Sequence, residues 1–176
     1  MKKLMIVLAA VALAGAAQAA TLSWSILNMQ AQGVEAGWIV ALFDSSTAPF
    51  DYAKAKAGTI TPLYTGTTYT SGTAIRANGS GLGSYSAGDT VSAYAVIFNA
   101  ATIDAATQMM VSEVRSATVG SAGGNISLAF GNMAATTSAN SFRSSTFVPT
   151  SGVPEPTSGL LMLVGLGALA LRRRKA

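Results

Sequence analysis

The middle of the chain alternates hydrophobic and polar residues over short stretches. In residues 21–29 (TLSWSILNM), Leu22, Trp24 and Ile26 alternate with polar residues, most of which carry a hydroxyl group. Alternation of this kind predicts a strand with one buried face. Residues 34–43 (VEAGWIVALF) end instead in a continuous apolar run, which predicts a strand that is buried on both faces.

Similar stretches rich in Thr, Val, Ile, Tyr and Phe recur along the chain, separated by clusters of Gly, Ser and Asn. They predict further strands at residues 59–64, 67–77, 89–99, 108–119, 125–130 and 141–148. The punctuating clusters predict turns at residues 78–81 and 86–89, and a hairpin loop with a helical turn at residues 99–107.

One short helix is predicted between these strands. Pro49 suits a first helical turn, residues 51–57 (DYAKAKA) favour a helix, and Gly58 ends it. Together, about seven or eight short strands predict an all-β fold for residues 20–150. We expect a single, jelly-roll-like β-sandwich, with a partly open barrel as the alternative.

The first nineteen residues have the three parts of a secretory signal peptide. A positive start with two lysines precedes an apolar stretch at residues 4–16, and small residues, Ala17 and Ala19, flank one position before the expected cut. We therefore expect export through the Sec translocon and cleavage between Ala19 and Ala20. A retained N-terminal anchor helix is the alternative, but the apolar stretch is short for a span of about 20 residues.

Residues 151–176 have a different composition. Pro154, Glu155 and Pro156 form a segment that breaks regular structure, and the uncharged stretch GLLMLVGLGALAL follows it. A helix over residues 157–171 would be roughly 22 Å long, which is short against a hydrocarbon core of about 30 Å. Four consecutive cations come after it, namely Arg172, Arg173, Arg174 and Lys175.

These cations predict how the tail lies in a membrane. The positive-inside rule places them in the cytoplasm, which leaves residues 20–150 outside. Snorkelling of the cationic side chains and local thinning of the bilayer would accommodate the short helix.

The order of these parts resembles the PEP-CTERM sorting signal of Gram-negative bacteria: Val153-Pro-Glu-Pro-Thr, a short Gly- and Leu-rich helix, and an Arg-rich end. Such a tail is also labelled an ice-binding protein C-terminal domain, which describes the tail and not the domain before it. The resemblance implies recognition by an exosortase, a membrane transpeptidase-like protease. Residues 154–156 would be the recognition segment, and residues 172–175 the stop-transfer signal.

The resemblance also implies a route for the protein. The precursor would be held in the inner membrane transiently, lose its tail helix, and pass to the cell surface or the extracellular matrix. Such proteins often accompany exopolysaccharide production, so an exopolysaccharide is a further expected partner. The alternative is a plain single-pass anchor with a proline-containing linker.

Charge and composition exclude several functions. Basic residues near the two ends account for the net charge of +4, whereas residues 20–150 carry five basic and six acidic side chains. No nucleic-acid partner is therefore expected. The sequence has no Cys and no His, which excludes thiol nucleophiles, zinc–thiolate sites and Ser-His-Asp triads. We expect no cofactor, no metal and no enzymatic activity.

The remaining polar candidates have simpler structural explanations. Lys54 and Lys56 suit a solvated helix face better than a Ser-Lys dyad. The Thr-x-Thr pairs between Thr59 and Thr70 are irregular and interrupted by proline and glycine, which favours solvent-facing strands over an ice-binding array. The carboxylates show no paired spacing of the kind that glycosidases need. They are Glu35, Asp44, Asp51, Asp89, Asp104 and Glu113.

Aromatic residues leave a second function open. The two tryptophans lie among apolar neighbours, which indicates core positions, whereas three of the tyrosines have Thr, Ser and Gly neighbours. The candidates for a sugar-stacking platform are Trp24, Trp38, Tyr64, Tyr69, Tyr85 and Tyr94. The main hypothesis is a non-catalytic structural or interaction protein of the surface or matrix. The alternative is a glycan-binding module displayed on the cell surface.

Overall fold

The computed structural model describes residues 19–121 and 124–150. One α-helix, α1, covers Tyr52–Lys56, and 3-10 helices cover Met29–Gln32 and Ser45–Thr47. Within the described ranges, no helix is long and apolar enough to cross a membrane. The strands are β1 Ala20–Leu27, β2 Ile39–Asp44, β3 Tyr64–Thr67, β4 Tyr69–Ser71, β5 Ala74–Tyr85, β6 Thr90–Phe98, β7 Gln108–Val111, β8 Arg115–Thr118, β9 Ile126–Asn132 and β10 Val148–Pro149.

The strands form two sheets. The first has the order β4-β5-β1-β9, and the second has the order β10-β7-β6-β2-β3, with β8 also paired to β6. Neighbouring strands are antiparallel except for β1 and β9, which run parallel. The all-β prediction is confirmed. The predicted jelly-roll-like arrangement would be purely antiparallel. The structure differs from it in this one pair, because β9 runs in the same direction as β1.

The inner faces of the two sheets form one hydrophobic core. Leu22, Trp24 and Ile26 of β1 are buried, and the residues between them are partly exposed, as the alternation predicted. They pack with Leu42 and Ile97 from the second sheet. Burial of side chains from both sheets against each other is what holds a two-layer fold together.

A second cluster covers the outer face of the second sheet. Phe43 and Tyr94 are buried there, and Phe50 lies 4.9 Å from Phe43 between ring centroids. Tyr52 of α1 also packs against this cluster. The segment around α1 therefore acts as a lid on that face, and this explains why β2 is buried on both faces, as its continuous apolar run predicted.

The turn predicted at residues 78–81 is wrong, because these residues lie inside β5. Trp24 lies opposite Gly79, and Ser25 lies opposite Asn78. A Cβ atom at Gly79 would overlap Nε1 of Trp24, and one at Gly66 would lie 2.7 Å from Cζ2 of the same ring. The glycines therefore make room for a buried indole rather than a change of chain direction.

The predicted strand at residues 108–119 is divided into β7 and β8. Both pair with β6, and their registers differ by one residue. Ser112 lies in the break, where its Oγ accepts a hydrogen bond from the Ala95 N–H at 2.8 Å. A hydroxyl thus takes the place of a backbone acceptor, which is how a bulge keeps the ladder satisfied.

Two further predictions need correction. Residues 141–144 form turns and residues 145–147 have no regular structure, so only Val148–Pro149 pair, as β10. The reason is that Phe142 is buried in the core while the Asn140 side chain accepts from its N–H at 2.9 Å, which folds the backbone back. The helix prediction is confirmed at residues 52–56, but Asp51 caps it, and Pro49 lies before it.

Candidate functional site

The residues predicted to direct sorting lie mostly outside the described ranges. This applies to Ala17, to the recognition segment 154–156 and to the cations at 172–175. Ala19 and Ala20 are described: β1 begins at Ala20, which is 2% exposed and pairs with Tyr85. The expected cut between Ala19 and Ala20 therefore falls directly before the first residue of β1 and removes none of the paired residues of the first sheet.

The chain leaves the described sandwich at a fixed point. In β10, Val148 pairs with Met109 and Pro149 pairs with Gln108. Thr150 is only 8% exposed; its N–H donates to the Thr107 carbonyl at 2.9 Å and its hydroxyl donates to the Ala106 carbonyl at 2.7 Å. The backbone is thus held up to the last residue before the recognition segment's linker.

The loop that receives Thr150 is itself held from two sides. The Asn99 side chain accepts from the N–H groups of Thr107 and Gln108 at 2.9 and 2.8 Å. From α1, the Tyr52 hydroxyl donates to the Ile103 carbonyl at 2.7 Å. Because side-chain bonds close a loop that has few backbone bonds of its own, residues 99–107 form a firm base for the exit.

A cleft opens beside this exit. Its volume is about 710 Å³, and both Pro149 and Thr150 line it. Phe50 and Tyr52 give it an aromatic wall, and Lys54 forms an exposed ion pair at its rim, 3.8 Å from the Asp51 carboxylate. We call β10, Thr150, residues 99–107 and α1 together the exit pole.

The tyrosines predicted for sugar stacking separate into different environments. The Tyr64 and Tyr85 hydroxyls hydrogen-bond to each other at 2.8 Å. Burial is the main cause that raises the pKa of Tyr85 to about 12, with smaller contributions from the hydrogen bond and charge of Tyr64. Tyr94 is buried, and burial raises its pKa as well. Tyr69 differs, since it is 42% exposed.

Tyr69 lies opposite Arg76 across β4 and β5. Directly paired residues of an antiparallel ladder lie on the same face of the sheet, so Tyr69 and Arg76 share one face. Trp24 lies in the core as predicted and is 1% exposed. Trp38 is only partly buried: it packs against the core from outside, edge-on to Phe147 at 5.6 Å between ring centroids. Of the predicted platform, only Tyr69 presents an open ring.

Two of the carboxylates have clear structural partners. Among the described residues, no three acidic side chains come together where they could hold a metal ion. Asp44 accepts from the Ser46 N–H at 2.8 Å, and its hydrogen bonds with Ser46 lower the pKa of its carboxyl group. Glu113 lies 3.5 Å from Arg143 on the surface. These are capping and surface roles.

Sequence reasoning missed the residues that build the exit. The sequence predicts Asn99 in a loop and Thr150 at the end of the domain, and it indicates no role for either residue. A signal was present for Asn99, because Asn at a strand end commonly bonds to nearby backbone groups. None marked Thr150, whose partners are more than forty residues earlier in the chain.

Comparison with known proteins gives one result for the tail. Residues 152–175 match a family described as the PEP-CTERM protein-sorting motif. No curated protein and no solved structure matches the chain. The motif implies processing by an exosortase, and membrane-anchored sorting followed by export to the cell surface. Residues 152–175 thus begin two positions after the fixed exit at Thr150, and they mark this chain as a PEP-CTERM protein.

Proposed function

We propose that this chain is the precursor of a surface or extracellular-matrix protein with a structural or interaction role. A signal peptide at residues 1–19 directs export, an exosortase cuts near residues 154–156, and the sandwich is released from its tail. The observation that carries the proposal is the sorting motif at residues 152–175 directly after a folded exported domain. Association with exopolysaccharide or biofilm follows from the same motif.

The absence of His and Cys from the sequence supports a non-catalytic role. The described surface supports it too, because it carries many hydroxyl groups and little charge. Thr90 and Thr118 pair their hydroxyls at 2.8 Å across β6 and β8, and Ser92 and Ser116 do so at 2.7 Å. Neutral hydroxyl-bearing surfaces hydrogen-bond well to hydrated polymers.

The test is replacement of residues 154–156 by three alanines in the native host. The substitution keeps the chain length, so only the recognition segment changes. The matched control replaces Ser151, which lies just before the matched motif, by alanine. We expect intact mass spectrometry to find the tail retained in the membrane fraction of the triple variant, and removed in the control. Normal processing of the triple variant would refute the proposal.

A second candidate function is glycan binding through Tyr69. Its open ring beside Arg76 is the combination that stacks on a sugar and pairs with a carboxylate. We expect Tyr69→Ala to abolish binding on a glycan array. Leu63→Ala is the matched control, because Leu63 is equally exposed at 42%. Binding that survives Tyr69→Ala, or is lost in both variants, counts against this function.

A further inference from the structure

We propose that the exit pole docks on the outer face of the sorting enzyme during processing. The inference rests on the proposed function and names the surface through which this chain meets its exosortase. It starts from a fixed point: β10 and the two hydrogen bonds of Thr150 hold the backbone to residues 106–109. The position of the pole therefore limits how far the next few residues of the chain can reach.

The chain between the fixed point and the recognition segment is short. Only Ser151, Gly152 and Val153 separate Thr150 from Pro154. Even fully extended, the Cα atoms of Thr150 and Pro154 are at most about 14 Å apart. This bound holds for any conformation of the linker.

An enzyme that encloses the recognition segment occupies most of the distance that this bound allows. One packed layer of protein around an extended strand adds about 10 Å on each side. A layer of that thickness fills most of the 14 Å, so its surface must meet the sandwich. The part it meets is the exit pole, because Thr150 lies there.

The surface of the pole suits a protein better than a lipid surface. The cleft beside Thr150 presents Phe50 and Tyr52, and aromatic side chains are enriched in protein interfaces. The charges near it are balanced, with Lys54 and Lys56 close in sequence to Asp51 and with Asp104 in the loop. A lipid-binding surface needs a cluster of cations instead.

The experiment combines substitutions on the pole with a longer linker. Ala53→Arg and Ala105→Arg each place a charge at an exposed position of the pole. Ala87→Arg is the matched control, since its turn lies at the other end of β6, roughly 30 Å away. Each is made with the native linker and with twelve Gly/Ser residues inserted after Thr150, which extend the tether by roughly 20 Å. Pulse-chase labelling in the native host measures how fast the tail is lost.

With the native linker, we expect Ala53→Arg and Ala105→Arg to slow tail removal about tenfold, because an unpaired charge is buried at the contact. With the long linker, the same substitutions should slow it less than twofold, and Ala87→Arg should have no effect in either. Exposed substitutions of this kind leave the stability of the sandwich nearly unchanged.

Three results would overturn the inference. If the Arg variants of the pole and the unaltered chain lose the tail at equal rates with the native linker, the pole makes no contact with the enzyme. If these variants slow tail removal equally with both linkers, the short distance between the pole and the enzyme is not the cause. Faster processing of the Arg variants would indicate an anionic lipid surface as the partner. If the unaltered chain keeps its tail, the proposed function itself fails. Processing of the unaltered chain with insensitive pole variants refutes only the docking.

Discussion

Single residues decide whether the first sheet packs, and Trp24 is the clearest case. Its indole is 1% exposed, and its Nε1 has no hydrogen-bond partner among the described residues. Gly66 and Gly79 lie against the ring so closely that neither position accommodates a Cβ atom without movement. Two glycines from different strands are therefore fixed by one tryptophan.

Gly79→Ala tests this arrangement. We expect it to lower the free energy of unfolding by about 1–3 kcal/mol, because overpacking a buried site forces side chains out of their preferred rotamers. Urea denaturation measures the change, and Ser80→Ala, at an exposed neighbouring position, should change stability by less than about 0.5 kcal/mol. Phe has a smaller ring than Trp and leaves room for a Cβ atom. In the Trp24→Phe background, we therefore expect Gly79→Ala to lower the free energy of unfolding by less. An unchanged cost there would contradict the packing explanation.

Tyr85 connects a single hydroxyl to the pH dependence of stability. Its pKa is raised to about 12 in the folded state, from an ordinary value of 10.0, mainly by burial. Its neutral form is therefore favoured by folding, so this contribution is fully present below pH 10 and is lost as the pH rises through about 12. We expect Tyr85→Phe to lose less stability than the unaltered chain between those pH values.

Denaturation curves at a series of pH values between 9 and 12 measure this difference, and absorbance at 295 nm follows tyrosine ionisation directly. Tyr69→Phe is the matched control, because it removes the hydroxyl of an exposed ring. A Tyr85→Phe variant that loses stability as steeply as the unaltered chain would show that this hydroxyl does not titrate as described.

At the scale of elements, the break between β7 and β8 depends on a side chain to satisfy the hydrogen bonds of the backbone. Ser112 bridges it by accepting from the Ala95 N–H and donating to the Glu113 carbonyl, both at 2.8 Å. The Ala95 carbonyl completes the bridge by accepting from the Ser112 N–H. One hydroxyl thus replaces the ladder bond that the one-residue change of register removes.

Ser112→Ala should destabilise the fold by about 1–3 kcal/mol, because it leaves a buried N–H without an acceptor. Hydrogen exchange at the Ala95 amide should speed up more than exchange elsewhere in β6. Ser116→Ala is the matched control, since its hydroxyl pairs with Ser92 at the surface. Unchanged exchange at Ala95 in the Ser112→Ala variant would mean that another group accepts its hydrogen bond.

The same elements show what the sequence could predict. The period-two pattern of β1, the apolar run of β2 and the helix-favouring residues of α1 are local signals, and they predict these three elements correctly. Capping of the helix by Asp51 is not predicted from the sequence. The turn predicted at residues 78–81 is wrong because Gly79 pairs within β5 and lies against Trp24, more than fifty residues earlier in the chain. The exit at Thr150 was missed for the same reason, since its partners are distant in sequence. Local sequence patterns predict local structure, but they fail where contacts between distant parts of the chain determine the conformation.

At the scale of the whole molecule, the two predicted cuts bracket the sandwich. The first predicted cut leaves Ala20 as the first residue of β1, and the second falls after the fixed exit at Thr150. We expect the mature protein to begin at Ala20 and to end near residues 154–156. The intact mass of the protein from surface and membrane fractions measures both ends at once.

Ala19→Arg sharpens the test of the first cut. A large charged residue replaces the small one next to the expected cleavage point, so the precursor should accumulate with residues 1–19 attached. Gln18→Arg is the matched control, because the middle position of the small-x-small pattern tolerates large residues. If Ala19→Arg yields the same mature mass as the unaltered chain, the predicted cleavage point is wrong.

The parallel pair of β1 and β9 has a consequence for the order of events in time. Ser23 of β1 lies opposite Ser127 of β9, so more than one hundred residues are made between the two partners. Pairing across such a separation is slow, because the loop must close before the contact contributes. In an exported chain, β1 emerges from the membrane first and waits for β9. The first sheet is therefore complete only after the residues through Asn132 have crossed, and until then β1 lacks one of its two neighbouring strands.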